Sequence, residues 1–358
     1  MMRCLRFYNE EENGCEVFGV CERIDSFRAG AASSETVLSR NQLSKLDVPS
    51  READTYPWRR AESQTSFRKG FRGRIAMDIK AQAEKAEKFR KLHQGPRILA
   101  LPNAWDAVSA RILEEVGHPA VATSSAAVAF SHGYPDGQRI SRGEMLDAVS
   151  RITRAVSVPV SADLESGYGT TPEEIAEFTR AMVAAGAVGL NFEDVTGDDQ
   201  STHVELGLQV EKIRVIRETS AALGVPLVIN ARTDIYLMPI GPASTRFERT
   251  VGRLRAYREA GADCLFVPGL GDREIIGNLV KTLGAPLNIL ASEGCPSLDE
   301  LEKMGVARVS AGSSAMRAAM GAFQRVAKDW LTHGSYQSLH QVTVPYAELN
   351  RMMAGRPW

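Results

Sequence analysis

The chain has 358 residues, a formal net charge of −1 and 44% hydrophobic residues. Near-neutrality leaves no basic footprint for nucleic acid or an acidic membrane surface, and no apolar run reaches the ~18 residues needed to cross a bilayer. The length suits one large α/β unit with appendages, and five scattered cysteines without a CxxC pair read as reduced thiols of a cytoplasmic compartment.

The first residues differ from the rest. Stretches such as 22–74 are rich in Ser and Arg and carry no sustained periodicity, so they bury too little surface to offset their ordering entropy. The sequence therefore predicts a disordered N-terminal extension over 1–76, a catalytic unit over 77–332 and a C-terminal tail over 333–358. A transit peptide is the rival reading of the extension, but Glu10, Glu11 and Glu12 are acids that such peptides avoid. Met77, just before the first helical pattern, is an alternative start.

From residue 78 onward short apolar runs alternate with amphipathic helices. The predicted strands are Ile98–Leu101, Ala120–Thr123, Val158–Ala162, Val188–Phe192, Leu227–Ala231, Cys264–Val267, Leu287–Leu290 and Arg308–Ala311. Helical patterns separate them, and Ser314–Leu331 follows the last. Gly117, Gly186, Gly224, Gly261, Gly284 and Gly305 close helices just ahead of the next strand. Eight such alternations predict a parallel sheet covered by helices. No GxGxxG follows the first strand, which favours a closed (β/α)8 TIM-type barrel over an open doubly wound sheet.

In such a barrel the active site lies at the C-terminal ends of the strands. Asp163 and Glu165 follow the third strand, Glu193 and Asp194 the fourth, and Asp136 lies on the loop after the second. Carboxylates converging in one cavity raise each other's pKa unless a cation neutralises them. A hard, oxygen-preferring ion such as Mg²⁺, which takes one or two carboxylates directly and keeps several waters, answers that need. Helix capping explains Asp106, Asp147 and Glu173 but not three acids from two adjacent strands. Arg232, after the fifth strand, is either a strut paired with Asp234 or an anchor for a substrate carboxylate or phosphoryl group. Thr123-Ser124-Ser125 is either a plain polar turn or an anion cradle. His132 and His203 lie near the mouth, and on the residues alone a surface role explains each better than a role in the site. Cys264 reads as core.

Several of these stretches resemble a known family. Ala162-Asp163-Leu164-Glu165-Ser166-Gly167-Tyr168-Gly169 is similar to the D-A-D-T-G-Y-G segment of the isocitrate lyase/phosphoenolpyruvate mutase superfamily. Phe192-Glu193-Asp194 and Ala231-Arg232 resemble its strand-4 E-D and strand-5 A-R, and Pro102-Asn103-Ala104-Trp105-Asp106 resembles the opening of its phosphoenolpyruvate-mutase-like branch. The resemblance spans about residues 78–332. It implies a Mg²⁺ site with Asp163 as direct ligand and Glu165, Asp136 and Glu193 acting through water. It implies that Ser124, Ser125 and Arg232 hold the carboxylate of a small anionic 2-oxo-acid or phosphonate substrate. It also implies a homotetramer, a dimer of dimers in which the helix Ser314–Leu331 packs on a neighbour.

Two departures narrow the chemistry. The lyases carry K-K-C-G-H after strand 4, and the mutases a Lys and an Asn on the same loop. Here the run is Asp194-Val195-Thr196-Gly197-Asp198-Asp199-Gln200-Ser201-Thr202-His203. An acidic, hydrated loop would shield a phosphoryl intermediate poorly. The expectation is thus a Mg²⁺-dependent lyase or hydrolase cleaving a C–C or C–P bond beside a carbonyl, with His203 as the proton carrier on the strength of its pKa. A phosphonomutase and a non-catalytic barrel are the alternatives.

Overall fold

Pro102 divides the first barrel strand into two pieces that face opposite neighbours. The computed structural model describes residues 2–6, 19–23, 78–195, 203–238 and 241–354. Within it, β3 (Leu99–Leu101) pairs with β11 (Arg308–Ser310), while β4 (Asn103–Ala104) pairs with β5 (Val121–Thr123). A proline offers no N–H to a ladder, so the strand changes partner there. Between these two pairings run β6 (Val160–Asp163), β7 (Gly189–Phe192), β8 (Val228–Arg232), β9 (Cys264–Val267) and β10 (Leu287–Leu290), each parallel to the next. Counting β3 and β4 as one interrupted strand, the ring closes as the predicted eight-stranded barrel.

The helices outside are α1 (Ile79–Leu92), α2 (Ala107–Val116), α3 (Ser125–Ser131), α4 (Arg142–Ala155), α5 (Pro172–Ala184), α6 (Leu206–Ala222), α7 (Arg246–Glu259), α8 (Arg273–Leu283), α9 (Leu298–Met304) and α10 (Ser314–His333). Their starts are written in the sequence. Reciprocal capping pairs Asp106/Ser109, Ser141/Glu144, Thr171/Glu174 and Ser297/Glu300 satisfy first-turn N–H groups of four of them. The core lies mainly between strands and helices, with Ile175, Phe178, Leu190, Ile213, Leu254 and Ile276 all buried there.

Helix α1 covers the N-terminal end of the barrel. Gln82 donates to the Val183 and Ala187 carbonyls, and Arg90 pairs with Asp263. Phe89 lies so close to Gly189 that a Cβ there would stand 2.8 Å from its ring. Two features differ from the sequence-based expectation. The stretch after β5 is a short helix rather than a turn, because Ser124 caps it by accepting from the Ala127 N–H at 3.3 Å. Beyond α10 the chain forms α11 (Leu339–Val342) and α12 (Tyr346–Met353), and Arg111 of α2 donates to the Met352 carbonyl.

The chain divides into two compact units, Met1–Arg74 and Ile75–Trp358. In the first, β1 (Met2–Arg6) and β2 (Gly19–Arg23) pair antiparallel; the rest of the expected disordered extension lies outside the described residues. Among the described residues no helix is long and apolar enough to cross a membrane.

Candidate active site at the barrel mouth

Asp163 ends β6 with its carboxylate held from two sides. Oδ2 accepts from the Ser125 N–H and hydroxyl, each at 2.9 Å, and Oδ1 accepts from Asn191 Nδ2 at 3.2 Å. Its own N–H donates to Thr123 Oγ1 at 2.8 Å. A carboxylate has about four acceptor positions, and Oδ1 keeps one of its two free.

The chain then turns sharply. Glu165 and Tyr168 adopt φ values of 53° and 51°, and Gly167 one of 92°. Left-handed backbone at two non-glycine residues costs free energy and clusters at functional sites. Gly167 has no alternative, since a Cβ would meet Ile175 and Phe192 at 2.8 Å. The turn drives the Glu165 side chain inward, where it is 2% exposed and neither carboxylate oxygen has a well-formed hydrogen bond, although the Gln138 N–H and the Tyr168 hydroxyl lie near enough to act on it. Burial first, then the Asp163 and Asp136 charges, push its pKa up to about 8. The Tyr168 hydroxyl is also buried without a well-formed hydrogen bond, and burial and then the neighbouring Glu165 carboxylate raise its pKa.

Asp136 and Glu193 complete the acid set. Asp136 is a solvent-exposed residue, but partial desolvation of its carboxyl, followed by the Asp163 charge, raises its pKa. Glu193 is pushed well upward by burial, despite the Arg232 guanidinium 2.8 Å away. Arg232 also grips Asp234, with Nε 2.6 Å and Nη2 2.8 Å from its two oxygens. Burial would lower the Arg232 pKa, but Asp234 and Glu193 outweigh it and raise it.

The sequence-predicted residues are thus brought together, and their commitments are now visible. Asp163, Glu165, Asp136, Glu193 and Arg232 act on one another's charge at the mouth. Arg232 is paired with Asp234 as the strut reading required, while one N–H on each of Nη1 and Nη2 stays uncommitted. Ser124 caps α3, and both Ser125 donors hold Asp163. His203 lies elsewhere. Its side chain is 6% exposed and 3.8 Å from Asp194, and its backbone pairs across an isolated antiparallel bridge with Val195. Burial lowers its pKa, opposed by Asp194. Asp194 is itself an anchor: it accepts from Arg253 Nε and the Tyr257 hydroxyl at 2.7 Å each and from the Asp234 N–H at 3.0 Å. His132 ends α3 with Nδ1 2.9 Å from the Val128 carbonyl. Cys264 is fully buried, and that burial pushes its thiol up to about 12. Gly197, Asp198 and Asp199 lie outside the described residues.

Sequence reasoning missed the residues beneath the mouth. Asn191, Asn230 and Arg308 are buried inside the barrel, at strand positions where the apolar run was read as plain core. A polar side chain inside a short strand was the available signal.

The donor set suits a hard divalent ion. Asp163 offers a free acceptor position, and Glu165 offers two buried oxygens without a well-formed hydrogen bond. Among the described residues no three His, Cys, Asp or Glu groups are placed to ligate one ion directly. An ion bound chiefly by one carboxylate, with the other acids holding its waters, fits that spacing.

Comparison with known proteins identifies a family. The family model described as phosphoenolpyruvate phosphomutase matches residues 89–331. A Burkholderia cenocepacia J2315 structure with a provisional lyase/mutase assignment is 41% identical, covering 77% of this chain and 98% of that one at a TM-score of 0.72. An uncharacterized protein of Mycobacterium tuberculosis is 33% identical, covering 73% of this chain and 94% of its own length. The 2-methylisocitrate lyase of Bacillus subtilis is 29% identical, with 73% and 87% covered.

Proposed function

The chain belongs to the phosphoenolpyruvate phosphomutase family, and on that premise we propose that it is a Mg²⁺-dependent lyase cleaving a C–C or C–P bond beside the carbonyl of a small 2-oxo acid. One observation carries the metal: Glu165 keeps two buried oxygens without a well-formed hydrogen bond beside the Asp163 carboxylate, with only the Gln138 N–H and the Tyr168 hydroxyl near enough to act on them. A buried carboxylate with so few donors is costly, and a cation with its waters removes that cost.

Asp163 is the direct ligand in this reading, oriented by Ser125 and Asn191. Glu165, Asp136 and Glu193 hold the ion's waters. When bound, Mg²⁺ supplies Lewis-acid stabilisation of the enolate charge that cleavage develops. The free N–H groups of Arg232 and the hydroxyl proton of Ser124 are the donors left for a substrate carboxylate. Ser125 serves the site through Asp163. The run 194–203 contains no Cys, Lys or Asn, which favours release of the cleaved acid over isomerisation.

Calorimetric titration with oxalate, an enolpyruvate mimic, tests the site. Binding is expected only with Mg²⁺, and binding indifferent to Mg²⁺ would remove the metal. Phosphonopyruvate, oxaloacetate and 2-methylmalate-type acids are then assayed for pyruvate release. A product isomeric with its substrate would make the protein a phosphonomutase.

A further inference from the structure

Arg308 stands on β11 with its side chain inside the barrel and no exposed surface. Barrel interiors are normally filled by branched apolar residues, and burying a guanidinium is expensive unless its donors are matched. Here they are not matched: Nε and Nη1 have no hydrogen-bond partner. The side-chain bond it does make runs from Nη2 to Asn191 Oδ1, at 3.3 Å. Its guanidinium carbon also lies 5.9 Å from the centre of the Phe89 ring, on the helix that covers the barrel's end. An arginine kept for packing or fold stability would satisfy more of its five donors than this.

The bond it makes has a consequence above it. Asn191 Oδ1 also accepts from Asn230 Nδ2 at 2.8 Å. Two donors on the oxygen leave the amide one orientation, with Nδ2 turned to Asp163 Oδ1. Rotated by 180°, the amide would present its oxygen to the carboxylate and its NH₂ to a cation. Strand register makes this alignment, since Asp163 lies beside Asn191 and Asn191 beside Asn230 on successive strands.

We propose that Arg308 is a positioning residue for the metal site: through the Asn191 amide it fixes the direction of the Asp163 carboxylate. The inference rests on the metal reading above and extends it to a residue at the start of its strand, away from the C-terminal mouth. Arg308 touches neither ion nor substrate. Outer partners of this kind change metal affinity by about 10- to 100-fold when removed.

The test is calorimetric Mg²⁺ and Mn²⁺ affinity of the full chain, with the metal-free thermal midpoint as a check on folding. Arg308→Met is expected to weaken metal binding about tenfold or more, and Arg308→Lys, which keeps a charged donor, to restore most of it. Asn191→Leu cuts the same link from the other side and carries the test if Arg308→Met does not fold. Its effect and that of Arg308→Met should combine less than additively. Wild-type protein that binds metal, with variants that bind it equally well, overturns the role of Arg308 and leaves the function standing. Wild-type protein that binds no divalent ion overturns the metal reading and this inference with it.

Discussion

Arg232 and Glu193 form an ion pair 2.8 Å long at the barrel mouth, and the same guanidinium grips Asp234 with two further N–H groups. A residue that looks like a free anion receptor is therefore also the tie between the ends of two strands. Removing it exposes both roles.

Arg232→Ala leaves Glu193 and Asp234 buried beside each other without a cation. Breaking a buried pair from one side costs about 3–5 kcal/mol. Urea unfolding should show a loss of that order, together with lost turnover. Arg232→Lys keeps the charge but not the fork, and should recover stability better than activity. Unchanged stability in Arg232→Ala would show that the two acids are protonated or hydrated without it.

Glu165 gives the metal-free protein an inverted pH response. Its pKa is about 8 when folded against a reference of 4.5, so the folded state holds the proton more tightly than the unfolded one. Stability from this group is therefore lost as pH rises through that window. His93, lowered to about 4 from 6.5 by burial, acts oppositely at lower pH. Thermal midpoints taken between pH 6.5 and 8 thus isolate the acids. Without metal the midpoint should fall across that range, and Glu165→Gln or added Mg²⁺ should flatten the fall. A wild-type midpoint that rises with pH and is blind to Mg²⁺ would contradict the assignment.

Asp163→Ala should abolish turnover and Mg²⁺-dependent oxalate binding while the barrel stays folded. Removing one acid from a repelling group relieves Glu165, though it strands the donors of Ser125 and Asn191. A calorimetric titration of the variant with oxalate and Mg²⁺ decides the point. Retained binding would move the metal to another carboxylate.

His203 contacts Asp194 rather than Asp163, and its strongest electrostatic neighbours are Asp194 and Arg253. His203→Asn should consequently leave the shape of the pH–rate profile unchanged on whichever acid turns over. Loss of one limb of that profile would return the proton-carrying role to this histidine.

Helix α10 displays Met320, Phe323, Trp330 and Leu331 to solvent, with Leu331 88% exposed. A surface of that kind on one helix predicts association with a second copy. Sedimentation at micromolar concentration should show an oligomer, and Phe323→Glu with Leu331→Glu should dissociate it. A wild-type chain that sediments as a monomer ends the idea.

Much of this site was legible in the chain itself. Short apolar runs alternating with period-3.6 patterns set out eight strands and their helices, and a residue's position relative to a strand end decides whether it reaches the mouth. Asp163, Glu165, Glu193 and Asp136 could be gathered on that ground alone, as could the buried Cys264. The interruption at Pro102 was less visible, because only the closing of the ring gives the two halves of that strand different partners.

What tertiary structure alone decided is who pairs with whom. Periodicity says that Ser125, Arg232 and Asp163 share a region, but not that Ser125 turns both donors onto Asp163 or that Arg232 is bound by Asp234 and Glu193. Those choices depend on the register between strands and on the direction each side chain takes in three dimensions. Arg308 is the clearest case. In sequence it is one polar residue near the end of the chain, 117 positions from Asn191. Only a closed barrel brings the eighth strand's interior face under the fourth, and only there does its charge meet the amide that orients Asp163.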